Sequence, residues 1–310
     1  VGDHEIRIFR TSDNAEVSRV IEPNLYYGLV FSPDGTKLYA SGGEDEVVYE
    51  YRFADGYLHG RRVITFYQDT EDPKKIRGVP CGIALAPSGM LAVCRSWGNA
   101  VLFGREDTGL ADPQGILTTP EPEYRPYDVK FAQDGSVYVS MWGKARVARM
   151  HLDGKTVEIP TGSHPNEMAL SADGSRLFVA CANSNTVSVI DTRSDTVVET
   201  LNTAMYPDSL EGSTPNSVDL SPDGKRLYVA NADNNCVAVF DVSEPGQSRA
   251  LGLIPVGWYP TSVRVDLDNK TLYVANAKGF SSFANPDGPN PYDRRRDGRR
   301  SVEQYAGSLL

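Results

Sequence analysis

The sequence predicts an all-β chain folded as a β-propeller of four-stranded antiparallel blades. Three observations carry this. A turn theme recurs at Ser32-Pro33-Asp34-Gly35, Ala86-Pro87-Ser88-Gly89, Ala132-Gln133-Asp134-Gly135, Ser171-Ala172-Asp173-Gly174, Ser221-Pro222-Asp223-Gly224 and Asp266-Leu267-Asp268-Asn269. The copies lie about 40 to 54 residues apart, close to the ~40–50 residues of a propeller blade. Each unit is rich in β-branched and aromatic residues of alternating polarity, punctuated by Gly, Pro, Asp and Asn, which excludes helical solenoids of similar period.

The chain opens on two segments, 5–9 and 16–21, that read as third and fourth strands of a blade without their inner hairpin. From there each unit follows one plan. A first strand, such as 27–31 or 217–220, runs into the turn. There Pro suits the first central position, Asp bonds its own backbone, and Gly accepts positive φ. A stronger second strand follows at 37–40, 90–94, 136–140, 176–180, 225–230 and 271–275. A loop rich in Gly or Asn leads to a third strand at 47–51, 100–103, 146–150, 186–190 and 236–240. A further turn, such as 191–195, leads to an outer fourth strand. The last hairpin, 259–276, lacks an outer pair. Either the N-terminal pair completes that blade and closes six blades, or both terminal blades are cut and the ring has seven. Seven is favoured. The propeller then occupies residues 1–277. Residues 278–300, rich in Pro, Asn, Gly and Arg, form an insertion loop in the last blade, and residues 301–310 begin its remaining outer strands.

At 310 residues, with 40% hydrophobic and 23% charged residues, the chain has ordinary globular composition and enough length for a substantial core. A formal charge of −10 argues against general nucleic-acid binding, which needs a basic field. No apolar run approaches the roughly 18–20 residues of a membrane span. The opening VGDHEIRIFR has neither the basic start nor the apolar core of a signal peptide and reads as the middle of a repeat. Cys81, Cys94, Cys181 and Cys236 fall in or beside strands with no CxxC pair, so they read as buried free thiols rather than zinc ligands.

The runs 227–231 (LYVAN) and 272–276 (LYVAN), with looser copies at 177–181, 38–43 and 137–142, resemble the YVTN β-propeller repeat family of bacteria and archaea. That resemblance implies the fold and leaves the function open, because the family includes enzymes, binding proteins and surface-layer proteins. The segments 38–51 (LYASGGEDEVVYEY), 285–291 (NPDGPNP) and 304–310 (QYAGSLL) are similar to exported bacterial proteins that join such a propeller to an alkaline-phosphatase-like phosphoesterase domain. This second resemblance implies seven blades, a periplasmic or secreted location, and a covalently linked metal-binding phosphoesterase domain whose catalytic residues lie outside this sequence.

In a propeller the first strands line a central channel. Segments leading into strand one and leaving strand two share one rim. The candidate ligand-binding residues on that rim are Tyr27, Arg95, Trp97, Tyr127, Asp128, Trp142, Asn166, Glu167, Asn216 and Trp258. Asp128, Asn166, Glu167 and Asn216 are oxygen donors, hence candidates to hold a calcium ion in the channel. The favoured reading is that they cap first strands and satisfy loop backbone groups. Arg95, Arg125 and the tryptophans suit an anionic or planar ligand. Of the four histidines, His4, His59 and His151 fall in outer regions and only His164 lies near the rim, which disfavours a three-histidine metal site. No GxSxG, HExxH or P-loop occurs. The leading expectation is a non-catalytic scaffold, binding a small molecule or protein on its top face as the accessory part of an exported phosphoesterase. The alternatives are a lactonase-like propeller hydrolase with a divalent cation in the channel, and a cell-surface or assembly protein.

Overall fold

The apolar runs after each turn do not alternate in polarity, because both faces of each inner strand are covered. In LFVAC, Phe178 and Ala180 enter one core, yet their neighbours Leu177, Val179 and Cys181 are equally buried. The computed structural model describes residues 4–65, 78–105, 111–118, 123–279 and 308–309, with 111–118 and 308–309 described in backbone alone.

The described residues form seven antiparallel sheets. The first has two strands, β1 (Glu5–Phe9) and β2 (Glu16–Ile21). The second orders β3 (Leu29–Phe31), β4 (Lys37–Ser41), β5 (Val47–Ala54) and β6 (Tyr57–Thr65). The third contains β7 (Pro80–Leu85), β8 (Met90–Arg95), β9 (Ala100–Arg105) and β10 (Ala111–Thr118), and the fourth β11 (Pro126–Phe131), β12 (Val137–Met141), β13 (Arg146–Met150) and β14 (Thr156–Pro160). The fifth runs through β15 (Pro165–Leu170), β16 (Arg176–Cys181), β17 (Thr186–Asp191) and β18 (Thr196–Asn202). The sixth runs through β19 (Pro215–Leu220), β20 (Arg226–Asn231), β21 (Cys236–Asp241) and β22 (Arg249–Pro255). The last has β23 (Pro260–Val265), β24 (Leu272–Asn276) and the short β25 (Ser308–Leu309). This is the all-β propeller architecture the repeats predict. β25 takes the free edge of β24, with Ala275 opposite Leu309, and β1–β2 form a sheet of their own. The count is therefore seven rather than six.

The chain divides into two compact units, Asp3–Asn166 and Glu167–Leu310, the latter joined by Val1–Gly2. In the first unit Tyr39, Val48 and Ile64 pack on Ile83, Leu91 and Leu102. The next layer sets Cys94, Val101 and Phe103 against Val129, Val139 and Met150. β1–β2 adds Ile6 to Leu38, Tyr49 and Tyr51. In the second unit Phe178, Val187 and Val189 meet Val218, Leu227 and Phe240, and Tyr228 and Val237 meet Val263 and Val274. Outer strands stay wet: every residue of β22 is exposed.

The turns are built alike. In three of them Ser Oγ donates to the Asp two residues on: Ser32 to Asp34 at 2.5 Å, Ser171 to Asp173 at 2.6 Å, Ser221 to Asp223 at 2.6 Å. The same carboxylates accept the backbone N–H two residues further, from Thr36, Ser175 and Lys225. The serine hydrogen bond, with those N–H groups, holds Asp34 and Asp173 down at about 2. All four cysteines are buried free thiols, and burial raises Cys94 well above its ordinary value. Of the insertion at 278–300, only Lys278 and Gly279 lie within the described residues, so its arginine run falls outside them.

Candidate functional site

Five first strands begin at a proline, and the residue before each is left-handed. Val79, Arg125, His164, Thr214 and Tyr259 have φ of 53°, 48°, 53°, 51° and 56°. For β-branched Val79 and Thr214 this region is strained. The bend turns the carbonyl toward the residue that leaves strand two. Ser96 N–H donates to Val79 O at 3.2 Å, Trp142 N–H to Arg125 O at 3.0 Å, Ala232 N–H to Thr214 O and Ala277 N–H to Tyr259 O, both at 2.9 Å. Segments entering strand one and leaving strand two thus meet at one end of each hairpin. A side chain from the preceding blade pins four of these lead-in segments. Glu46 accepts from Val79 N–H at 3.0 Å, Asn99 from Arg125 N–H at 3.2 Å, Asn185 from Ser213 N–H at 2.7 Å and Asn235 from Tyr259 N–H at 2.8 Å.

On this end of the Asp3–Asn166 unit lies an aromatic and cationic cluster. The Arg125 guanidinium sits 5.9 Å from the ring centres of both Trp97 and Trp142. Trp142 meets His164 edge-on, with ring centres 4.6 Å apart. The rings of Tyr27 and Tyr127 meet tilted by 38°, with centres 4.6 Å apart. Arg95 is bound to Glu46 through Nη2 at 2.9 Å and Nε at 3.0 Å. It is wedged so tightly that a Cβ on Gly78 would fall 2.0 Å from its Nε. Asp128 is buried and pairs with Lys130 Nζ at 3.1 Å. These two are i and i+2 on β11, where the strand period puts them on one face. Asn166 is buried at the start of β15.

The Glu167–Leu310 unit carries a second charged cluster, on the first strands β15, β19 and β23. Arg264 of β23 reaches Glu167 of β15 with both terminal nitrogens: Nη2 bonds Oε1, and Nη1 lies 3.3 Å from Oε2. Along the way Nη1 donates to Ser217 Oγ of β19 at 3.2 Å and to Val263 O at 2.6 Å. Glu167 is almost closed to solvent at 6% side-chain exposure, whereas Arg264 is half open at 51%. Asp219, two residues after Ser217 on β19, accepts from Val265 N–H at 2.8 Å. Burial raises the pKa of its carboxyl, opposed by the Val265 N–H and Arg264 and reinforced by Glu167. Asn216 is half-buried on the same strand. Trp258 is 39% exposed, and its backbone N–H donates to Gly279 O at 2.7 Å.

The calcium expectation meets an unsuitable donor set. The Asp128 carboxylate is held by Lys130 and the Glu167 carboxylate by Arg264, so each acidic candidate already has its own cation. Among the described residues no three His, Cys, Asp or Glu side chains gather to hold a metal ion. Of the four oxygen donors named for that ion, Asp128 and Asn166 belong to the Asp3–Asn166 unit, and Glu167 and Asn216 to the other. Sequence reasoning found Glu167 but missed Arg264 and Asp219. The available signal was positional. In PYDVKF, PNEMAL, PNSVDL and PTSVRV the third and fifth residues share a strand face. Lys130, Asp219 and Arg264 are charged at the fifth place, where β15 has Ala169.

The fold and site define a β-propeller with a charged cluster on its first strands. Residues 143–281 match the family model described as "Lactonase, 7-bladed beta-propeller". No curated protein matches the sequence. Among solved structures, a putative 6-phosphogluconolactonase from Bacteroides fragilis is 18% identical, with TM-score 0.68 over 87% of this chain and 82% of that one. The periplasmic gluconolactonase of Pseudomonas aeruginosa is 20% identical, with TM-score 0.68 over 89% of this chain and 85% of the other. Virginiamycin B lyase from Staphylococcus aureus is 16% identical, with TM-score 0.64 over 87% and 80% respectively. At these identities the likeness establishes the fold. The lactonase match overturns the expectation of a non-catalytic phosphoesterase accessory. That expectation rested on the 285–291 loop, the odd ends and the resemblance to phosphoesterase fusions, none of which the comparisons reproduce. Among the described residues no helix is long and apolar enough to cross a membrane.

Proposed function

We propose that this chain is a lactonase-type hydrolase that opens the ring ester of a sugar-acid lactone. One observation carries the reading: the stretch that matches the lactonase model, 143–281, contains all of Glu167, Ser217, Asp219 and Arg264, joined on three first strands. Lactone hydrolysis needs a base to take a proton from water and a positive group for the carbonyl oxygen as it gains charge. Asp219 suits the first role. Burial raises its pKa above the ordinary carboxylate value, moving it toward the range where an acid–base group works best. Arg264, half exposed, offers guanidinium N–H groups for the second. Glu167 is a positioning residue that holds the guanidinium through two contacts. In the step, water oxygen bonds to the carbonyl carbon and its proton passes to Asp219. The ring C–O bond then breaks, and the leaving oxygen takes the proton back.

The test is hydrolysis of glucono-δ-lactone and its 6-phosphate near neutral pH, followed as acid release above the spontaneous rate. Asp219→Asn should lower kcat by about 10²–10⁴-fold, and Arg264→Met by about 10²–10³-fold, with both variants folded. A wild-type rate equal to the spontaneous rate on both lactones would defeat the proposal. Full activity in Asp219→Asn would remove that residue from the mechanism.

A further inference from the structure

We infer that the Trp97–Arg125–Trp142 cluster of the Asp3–Asn166 unit is a binding site for an anionic pyranose, a sugar ring carrying a carboxylate or phosphate. The inference stands whether or not the chain hydrolyses lactones, because it rests on other residues.

The cluster departs from what the repeat requires. Where Trp142 leaves strand two, the sister blades have Ser96, Ala182, Ala232 and Ala277. All four side chains are small, and at Ser96, Ala232 and Ala277 the N–H is used by the fold in the same way as that of Trp142. Where Asn99, Asn185 and Asn235 stand, this blade has Ala145, and the Trp142–His164 ring contact occupies the neighbouring lead-in. The fold does not need these rings.

Their arrangement fits a ligand with a ring and a charge. Arg125 is fixed by its backbone, its N–H on Asn99 and its carbonyl on Trp142 N–H, and its guanidinium lies against both indoles. Among the described residues no carboxylate pairs with it, and the side chain is exposed. A guanidinium held at two aromatic faces keeps its N–H edge for an anion. Trp97 is 59% exposed, leaving an indole face on which the C–H face of a pyranose can stack. His164 bonds Ser163 Oγ through Nδ1 at 2.8 Å, which leaves Nε2 as a partner for ring hydroxyls. An unsubstituted aromatic acid would not use that polar edge.

The experiment is titration of the full chain with glucuronate, glucose 6-phosphate and glucose at millimolar concentrations. Binding is read from tryptophan fluorescence in a Trp258→Phe background and confirmed by calorimetry. At least one anionic sugar should bind about tenfold or more tightly than glucose, with affinity falling as salt rises. Which anion binds distinguishes carboxylate from phosphate. Arg125→Met should abolish the preference over glucose. Trp97→Ala should weaken the anionic sugar about tenfold. Both side chains are exposed, so the variants should keep the wild-type melting curve, and Arg125→Lys should retain part of the preference. The inference is overturned if neither anionic sugar binds, if glucose binds equally well, or if Arg125→Met and Trp97→Ala bind as the wild type does.

Discussion

Replacing Arg264 by Met removes the cation facing Glu167 while keeping most of the aliphatic bulk. What remains is a carboxylate with 6% side-chain exposure, no charge partner, and a Ser217 hydroxyl that has lost one of its donors. Breaking a fully buried pair from one side costs about 3–5 kcal/mol. Here Arg264 is 51% exposed, so water screens the pair, and about half that figure, ~2 kcal/mol, is the reasonable expectation. For a chain of this size 1 kcal/mol corresponds to roughly 2 °C in Tm, so the variant should melt about 4 °C lower. Glu167→Gln should cost less, because the guanidinium it frees already faces solvent. The double variant should recover part of the loss, giving a coupling of about 1 kcal/mol or more in a double-mutant cycle. Urea unfolding followed by circular dichroism measures each corner. If Arg264→Met unfolds within about 0.5 kcal/mol of wild type, or the two changes simply add, the pair does not hold the first strands together, and the positioning role given to Glu167 fails with it.

Three other predictions concern separate parts of the chain. Asp219→Asn should raise Tm near neutral pH. A carboxyl whose folded pKa is raised stabilises the fold only below its ordinary value near 3.8 and loses that contribution as pH rises through the folded pKa. The gain should therefore shrink as the melts are taken down toward pH 4, and a gain independent of pH would contradict the assignment. Glu22→Gln should loosen β1–β2. Buried Glu22 accepts from Tyr51 and from Arg61 Nε and Nη2, the last at 3.1 Å, so about 2 kcal/mol should be lost, with faster amide exchange in β1 as the local readout. Gly82→Ala should cost about 3 kcal/mol, because a Cβ there would lie 2.4 Å from Tyr127 O and 2.7 Å from Asp128 Cα. A wild-type melting curve for that variant would mean that β7 and β11 can part without penalty.

The strand plan was legible because each of its signals is local. Turn chemistry is written within six residues, as in Ser32 to Lys37, where one hydroxyl and one carboxylate satisfy the turn. Burial on both faces is written in runs such as LYVAN. The seven-sheet count followed from the odd segments at the two ends. Among the rim positions read from the sequence, Trp97 and Trp142 share Arg125, and Tyr27 meets Tyr127. The partners of the charged residues were not. Glu167 and Arg264 are 97 residues apart in sequence, and nothing local says that a guanidinium on β23 passes Ser217 to reach β15. Read singly, Glu167 was an oxygen donor open to a cation. Read with its partner, it is half of a buried ion pair with Arg264.

Repetition separates what the fold needs from what it merely permits. The turn aspartates, the buried second strands and the asparagines that pin the lead-in segments recur because every blade must solve the same packing and hydrogen-bonding problem. At the third and fifth places of the first strands the copies disagree: Asp128 with Lys130, Glu167 with Ala169, Ser217 with Asp219, Ser262 with Arg264. Those places tolerate Ala and Ser, so neither burial nor backbone geometry demands a charge there. Each charge carries a desolvation cost that a neutral residue would avoid; for Asp219 that cost is visible in its raised pKa. Selection for stability alone would not keep five charged residues on strands where the sister copies do without them. The lactone hydrolysis proposed above gives such charges a use on the first strands, where they are found.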